Sequence, residues 1–280
     1  MSSPKTRSDL WEAVITAFCQ QPEISQIYTF GREVDGETDQ YSDLDLILCS
    51  RDLQETQRKY RMILSGISPI IGSYLIVSNE DCLAEMVMLQ DYSPYQKVDF
   101  SITATIENNQ QFAPFKLIYG RRTEATAPVT KLTVEGTAGD LRNSTADILF
   151  SIPRFTKCLF RQDRDMYRRW MGVMDRIFVL LYERHFGWQK QSRGKLTPPE
   201  YQALYKILDP PELRVLDRMM PLCGRINLAA SFQIGMHQFT NLCREKAGAI
   251  EADLDDRFIE HITGFLDAEI SRFLSDKLEA

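Results

Sequence analysis

The apolar and polar positions divide the chain into a first part that mixes strands with helices and a second part that is helical. Leu10, Trp11, Val14, Ile15 and Phe18 recur with the period of one helix face. Asp9, followed by Glu12, predicts an N-cap and its return partner. Ile24 to Phe30 reads as a first strand and Asp43 to Cys49 as a second. Successive strand side chains point to opposite faces, so Leu44, Leu46 and Leu48 share one side and Asp43, Asp45 and Ile47 the other. Residues 52–66 predict a helix ended by Gly66, and Ser73 to Val77 a short strand. Val98-Asp99-Phe100-Ser101-Ile102 alternates cleanly, with Asp99 and Ser101 on one face.

Residues 120–138, rich in Thr, Ala and Gly, read as a linker. Beyond them Tyr167, Trp170, Met171, Met174, Ile177, Phe178 and Leu181 form an apolar stripe that Gly187 stops. Pro153 is expected to kink or divide the helix before it. Pro198-Pro199 and Pro210-Pro211 punctuate two further helices, and Phe258, Ile259, Ile262, Phe265, Leu266, Ile270, Phe273 and Leu274 mark an amphipathic last helix. The expected architecture is an α/β (α+β) domain with a small mixed sheet over 1–125, followed by an all-α bundle over 139–280.

Composition changes this picture little. With 280 residues, 44% apolar and 26% charged, the chain fits two modest soluble domains. No apolar run approaches bilayer length, and Met1-Ser2-Ser3-Pro4-Lys5-Thr6-Arg7 lacks the apolar core of a signal peptide. The expectation is a cytoplasmic protein without a membrane partner. Six widely spaced cysteines read as reduced, mostly buried thiols.

Charge narrows the partners. Residues 1–130 carry 11 Lys and Arg against 18 Asp and Glu, a net of −7. An acidic half of this kind does not suit nucleic acid, whose binding is dominated by phosphate neutralisation. It suits a cationic small molecule and a divalent ion. Residues 154–193 carry a net of +6, available to a triphosphate or simply to a solvated helix face.

The chemistry concentrates in Thr29-Phe30-Gly31-Arg32 and in Ser42-Asp43-Leu44-Asp45. Two carboxylates at i and i+2 on a strand share a face and repel unless a cation lies between them. Mg²⁺ binds through one or two carboxylates plus substrate phosphates. Gly31 and Gly36 bracket a loop able to bring backbone N–H groups to a phosphate.

A strand, a Gly-Ser, a loop of roughly ten residues and an Asp-x-Asp form the motif of the nucleotidyltransferase superfamily of DNA polymerase beta. Here Gly31-Arg32 stands in place of Gly-Ser, and Asp43 and Asp45 fill the Asp-x-Asp. The run Asp39-Gln40-Tyr41-Ser42-Asp43 resembles the lincosamide and aminoglycoside nucleotidyltransferases in particular. The resemblance implies a third carboxylate on a strand beside the Asp-x-Asp strand, a position that Asp99 matches. It implies Mg²⁺ at Asp43, Asp45 and Asp99, a nucleoside triphosphate such as ATP near Gly31 and Ser42, and a small hydroxyl-bearing acceptor. Arg32, where the family has serine, is readable as a bidentate grip on a phosphate or as a side chain that points to solvent and leaves the loop weakened. The resemblance also implies a helical second domain, a last strand of the first domain at Phe115 to Tyr119, and a homodimer as one arrangement. A cleft between residues 1–120 and the helices of 140–190 is expected because ligands commonly occupy domain junctions.

For the acceptor's general base, Asp140, Asp147, Asp175 and Glu183 are candidates, each equally readable as a helix-surface acid. His185, at a helix end, suits the helix dipole, and His237 and His261 show no metal-ligand pattern. Trp170 and Trp188 are readable as pocket walls or as core. Two other classes remain open: a noncatalytic or antitoxin-like nucleotide-binding protein, and a nucleotidyltransferase acting on a protein.

Overall fold

Thr6, not Asp9, starts the first helix. In the computed structural model, which describes residues 5–107, 109, 113–121, 140–191, 194–220 and 224–278, α1 spans Arg7–Cys19. The Asp9 carboxylate accepts from the Thr6 backbone N–H at 2.7 Å, and Asp9 N–H donates to Thr6 Oγ1 at 3.2 Å. The capping box thus lies three residues earlier than the Asp9–Glu12 spacing predicts, because the Thr6–Asp9 pair satisfies both orphan donors at once. Leu10, Val14 and Phe18 face the core, as their period predicts.

The chain forms two compact units, Met1–Thr137 and Ala138–Ala280. In the first, β1 (Ile24–Thr29), a single turn α2 (Arg32–Asp35) and β2 (Leu44–Ser50) precede α3 (Leu53–Ile67). Then follow β3 (Ile70–Ser78), β4 (Cys82–Leu89), a 3₁₀ turn at Pro94–Gln96, β5 (Val98–Thr103) and β6 (Lys116–Tyr119). The six strands make one mixed sheet in the order β3-β4-β5-β2-β1-β6. Only β2 and β5 run parallel among these neighbours.

The two faces differ. Leu44, Leu46 and Leu48 of β2 and Val98, Phe100 and Ile102 of β5 join α1 and α3 in a large apolar core. Ile47 and Cys49 belong to a small cluster with Tyr28 on the opposite face. Asp45 and Asp99 share that second face, so the alternation predicted for both strands holds.

The first unit differs from the sequence reading at two further places. Gly66 does not end α3; the helix runs to Ile67, and Ser68 caps it in an extended conformation. Strand β4 was not anticipated, since Glu85 interrupts its apolar run. That carboxylate is fully buried, accepting from Tyr60 Oη at 2.7 Å and from Arg61. Burial, reinforced by the Glu85 charge, pushes the Tyr60 hydroxyl up to about 12. The predicted linker lies almost wholly outside the described residues.

The second unit contains α4 (Leu141–Leu149), α5 (Ser151–Arg161), α6 (Asp165–Phe186), α7 (Pro198–Tyr205), α8 (Pro210–Met219), α9 (Arg225–Ile250) and α10 (Asp256–Leu278). Pro153 sits in the first turn of α5, where no intrahelical N–H is needed, so the chain divides at Phe150. Of the predicted α6 stripe, Trp170, Met174, Ile177, Phe178 and Leu181 are buried, with Met166 and Val173 beside them, whereas Tyr167 and Met171 are exposed. The longest helix, α9, was not singled out in the sequence, because its buried face includes Ser231, Gly235, Thr240 and Lys246. Gly235 admits the Trp170 indole: a Cβ there would stand 2.4 Å from Trp170 Cη2. No helix among the described residues is long and apolar enough to cross a membrane.

Candidate active site

The loop between β1 and β2 is fixed from both ends. Thr29 Oγ1 donates to the Asp45 carbonyl at 2.8 Å, and Phe30 N–H donates to the same oxygen at 3.3 Å. Gly31 then takes φ +64° and ψ −147°, a conformation that suits glycine. A Cβ on Gly31 would stand 2.7 Å from Asp45 Oδ2. The missing side chain therefore leaves room beside that carboxylate.

At the other end, Ser42 Oγ donates to Asp39 Oδ1 at 2.8 Å and accepts from Asp39 N–H at 3.0 Å. Tyr41 N–H also donates to Asp39 Oδ1 at 3.0 Å. This closed turn sets the backbone entering β2 and delivers Asp43. Tyr41 packs edge-on against Tyr95, with ring centroids 4.9 Å apart. Arg7, which sequence reasoning did not single out, reaches Glu33 Oε2 at 2.5 Å and the Asp43 carbonyl at 3.3 Å. Arg32 is exposed at the first position of α2.

The parallel register sets the carboxylates. Asp45 lies opposite Asp99, and Leu44 opposite Val98. One residue back, Leu44 N–H donates to the Lys97 carbonyl at 3.0 Å, so Lys97 comes alongside Asp43. Asp43, Asp45, Asp99 and Lys97 thus occupy one face of two neighbouring strands. Lys97 is almost wholly buried; its Nζ lies 2.5 Å from Asp43 Oδ2 and 3.6 Å from Asp99 Oδ2, and each carboxylate is about one-fifth exposed. Three carboxylates and one ammonium give this quartet a formal charge of −2. Lys97 was also missed. Its signal was its place two residues before Asp99, on the same strand face.

The donor chemistry suits Mg²⁺, which prefers oxygen ligands. Asp43 and Asp99 are nevertheless gathered about the Lys97 ammonium. Among the described residues, no group of three or more His, Cys, Asp or Glu is placed so as to hold a metal ion. Asp43, Asp45 and Asp99 are the residues that would hold a divalent ion, and the Lys97 ammonium stands between two of them.

The other candidates are engaged within the second unit. Asp140 caps α4 by accepting from Asn143 N–H at 2.8 Å. Asp175 pairs with Lys195 at 2.6 Å. Glu183 is buried against Lys246 at 2.6 Å. Asp147 lies within α4. His185 Nε2 is 2.9 Å from Glu212, and His237 Nε2 is 2.9 Å from Asp267. Trp170 is core, whereas Trp188 is half-buried past the end of α6. In the basic segment, Arg168 and Arg169 pair with Asp165, and Arg184 with Glu212 and Glu245.

No family model matches the chain, and no curated protein matches it either. Among solved structures it is similar to an aminoglycoside 6-adenyltransferase from Bacillus subtilis, at 13% identity over 95% of this chain and 98% of that one, with a TM-score of 0.36. The chemical reading of the site rests on the residues of this chain.

Proposed function

We propose that the chain is a nucleotidyltransferase that moves a nucleoside monophosphate from a triphosphate to a hydroxyl of a small molecule. The observation that carries this reading is the in-register pair Asp45 and Asp99, with Asp43 on the same face and Gly31 against Asp45. Asp43, Asp45 and Asp99 would hold Mg²⁺, which when bound neutralises phosphate charge and helps align the attacking and leaving oxygens.

The chain's own residues then have distinct tasks. Gly31 keeps the approach to Asp45 open. Arg32 extends a charged fork from the loop for phosphate. Ser42 serves the nucleotide indirectly, by holding the Asp39 turn that delivers Asp43. Asp99 is placed to orient the acceptor hydroxyl or to share a metal ion. The acceptor class we favour is a cationic, hydroxyl-bearing compound of lincosamide or aminoglycoside kind. The motif resemblance and the net charge of −7 over residues 1–130 support it.

The test is a screen of such acceptors with each nucleoside triphosphate and Mg²⁺, reading pyrophosphate release and acceptor mass. The expected result is an acceptor heavier by one nucleoside monophosphate, lost in Asp45→Asn and Asp99→Asn. Transfer that survives both substitutions would move the chemistry elsewhere. Modification of a protein with no small acceptor modified would retain the transferase and remove the small-molecule reading.

A further inference from the structure

The least expected group at the site is the Lys97 ammonium. It is buried, it immediately precedes the strand that carries Asp99, and it stands between two of the three carboxylates assigned to a metal. A unit positive charge a few ångströms from a carboxylate in a partly dehydrated setting is a strong competitor for a second cation. A lysine differs from a structural metal in one respect: its charge rides on a flexible stem and can leave without dissociating from the protein.

We propose that Lys97 is a resident counter-cation of this site, exchanging with the divalent ion. Without nucleotide, its ammonium holds Asp43 and Asp99 together and keeps a free divalent ion out. A metal–triphosphate complex would be held by Asp43, Asp45 and Asp99, and the Lys97 ammonium, giving up Asp43 and Asp99, would take the phosphates as its new anionic partner. Lys97 is thus a positioning residue that makes metal binding depend on nucleotide. This inference rests on the metal-binding reading of Asp43, Asp45 and Asp99.

The test follows Mn²⁺ binding to the full chain by electron paramagnetic resonance, with and without a nonhydrolysable ATP analogue, in wild type and in Lys97→Met. Wild type is expected to bind Mn²⁺ weakly alone and tightly with the nucleotide. Lys97→Met is expected to bind Mn²⁺ alone at least about tenfold more tightly, the scale of one nearby unit charge at an intermediate dielectric. Asp99→Asn in the Lys97→Met background should remove that gain. In a chelator, Lys97→Met should melt below wild type, with Mn²⁺ restoring most of the difference.

Equal or weaker Mn²⁺ binding by Lys97→Met would overturn the exchange while leaving the metal site standing. Absence of Mn²⁺ binding in both proteins, with and without nucleotide, would overturn the exchange and the metal site together. If Lys97→Met folds only with Mn²⁺ present, its unfolding on chelation supports the proposal. If it folds under neither condition, Asp43→Asn/Lys97→Met decides. Folding of that double variant in chelator supports charge compensation, and failure assigns Lys97 to packing and overturns the proposal.

Discussion

Arg7 and Glu33 meet at 2.5 Å, joining the first turn of α1 to the loop that precedes the carboxylates. Both side chains are less than a quarter exposed, and the same guanidinium also holds the Asp43 carbonyl. We expect Arg7→Met to loosen residues 31–43 without unfolding the sheet, at a loss of about 1.5–3 kcal/mol, the range for a hydrogen bond to a charged group. Hydrogen exchange should show faster exchange in that loop and unchanged protection in β2 and β5. Unchanged loop protection would assign Arg7 to the surface.

Gly31→Ala should separate site geometry from fold. Its backbone conformation is strained for any residue with a Cβ, and the added atom would meet Asp45 Oδ2 at 2.7 Å. We expect a loss of about 1–3 kcal/mol in stability and a larger proportional loss of transfer. Thermal melting and pyrophosphate release, compared on one preparation, check this. A variant with full activity would show that Asp45 does not need that space.

Glu183 and Lys246 form a buried pair in the second unit, each side chain no more than 2% exposed. Glu183→Gln or Lys246→Met should each destabilise the protein by about 3–5 kcal/mol, because either leaves an uncompensated buried charge. The double variant Glu183→Leu/Lys246→Met should recover most of that. A thermal-melt cycle over the four proteins checks the coupling; additive single losses would contradict it.

His261 sets a pH dependence whose sign is fixed. Burial, with the Arg257 charge adding to it, holds its imidazole below the ordinary value of 6.5. Its Nε2 is buried without a hydrogen-bond partner among the described residues. The unfolded chain therefore takes up a proton before the folded one does. The stabilisation is complete above 6.5 and declines as the pH falls from there through the lower folded value. Melting temperatures from about pH 7.5 to 5 should fall more steeply for wild type than for His261→Leu. Parallel curves would remove His261 as the cause.

Much of the first unit was legible because its strands alternate. Leu44, Leu46 and Leu48 against Asp45, and Val98, Phe100 and Ile102 against Asp99, carry their face assignment in the sequence itself. The common face of Asp45 and Asp99 followed once the strands were paired. Three things did not follow. β4 escaped because a buried Glu85, held by Tyr60 and Arg61, breaks the apolar run that a strand covered on both faces should show. Arg7 escaped because its role depends on a contact 36 residues away. Lys97 escaped because a lone lysine before a strand reads as solvated until the neighbouring strand places a carboxylate beside it.

The sheet also determines when the site can exist during folding. β1 and β2 are sequence neighbours and pair antiparallel, and so do β3, β4 and β5. β3, β4 and β5 close over short connections, which is fast, and β1 and β2 over the longer loop 30–43. Asp43 and Asp45 lie on the first group; Lys97 and Asp99 lie on the second. The groups join only through β2 and β5, whose partners stand 54 residues apart, so their docking bears the larger loop-closure entropy. Until that docking Asp99 does not face Asp43 and Asp45. When it happens, the strand that brings Asp99 against Asp45 also brings Lys97 against Asp43. Charge and countercharge arrive in one event, and the chain assembles an acidic centre without first populating a form in which all three carboxylates face one another uncompensated.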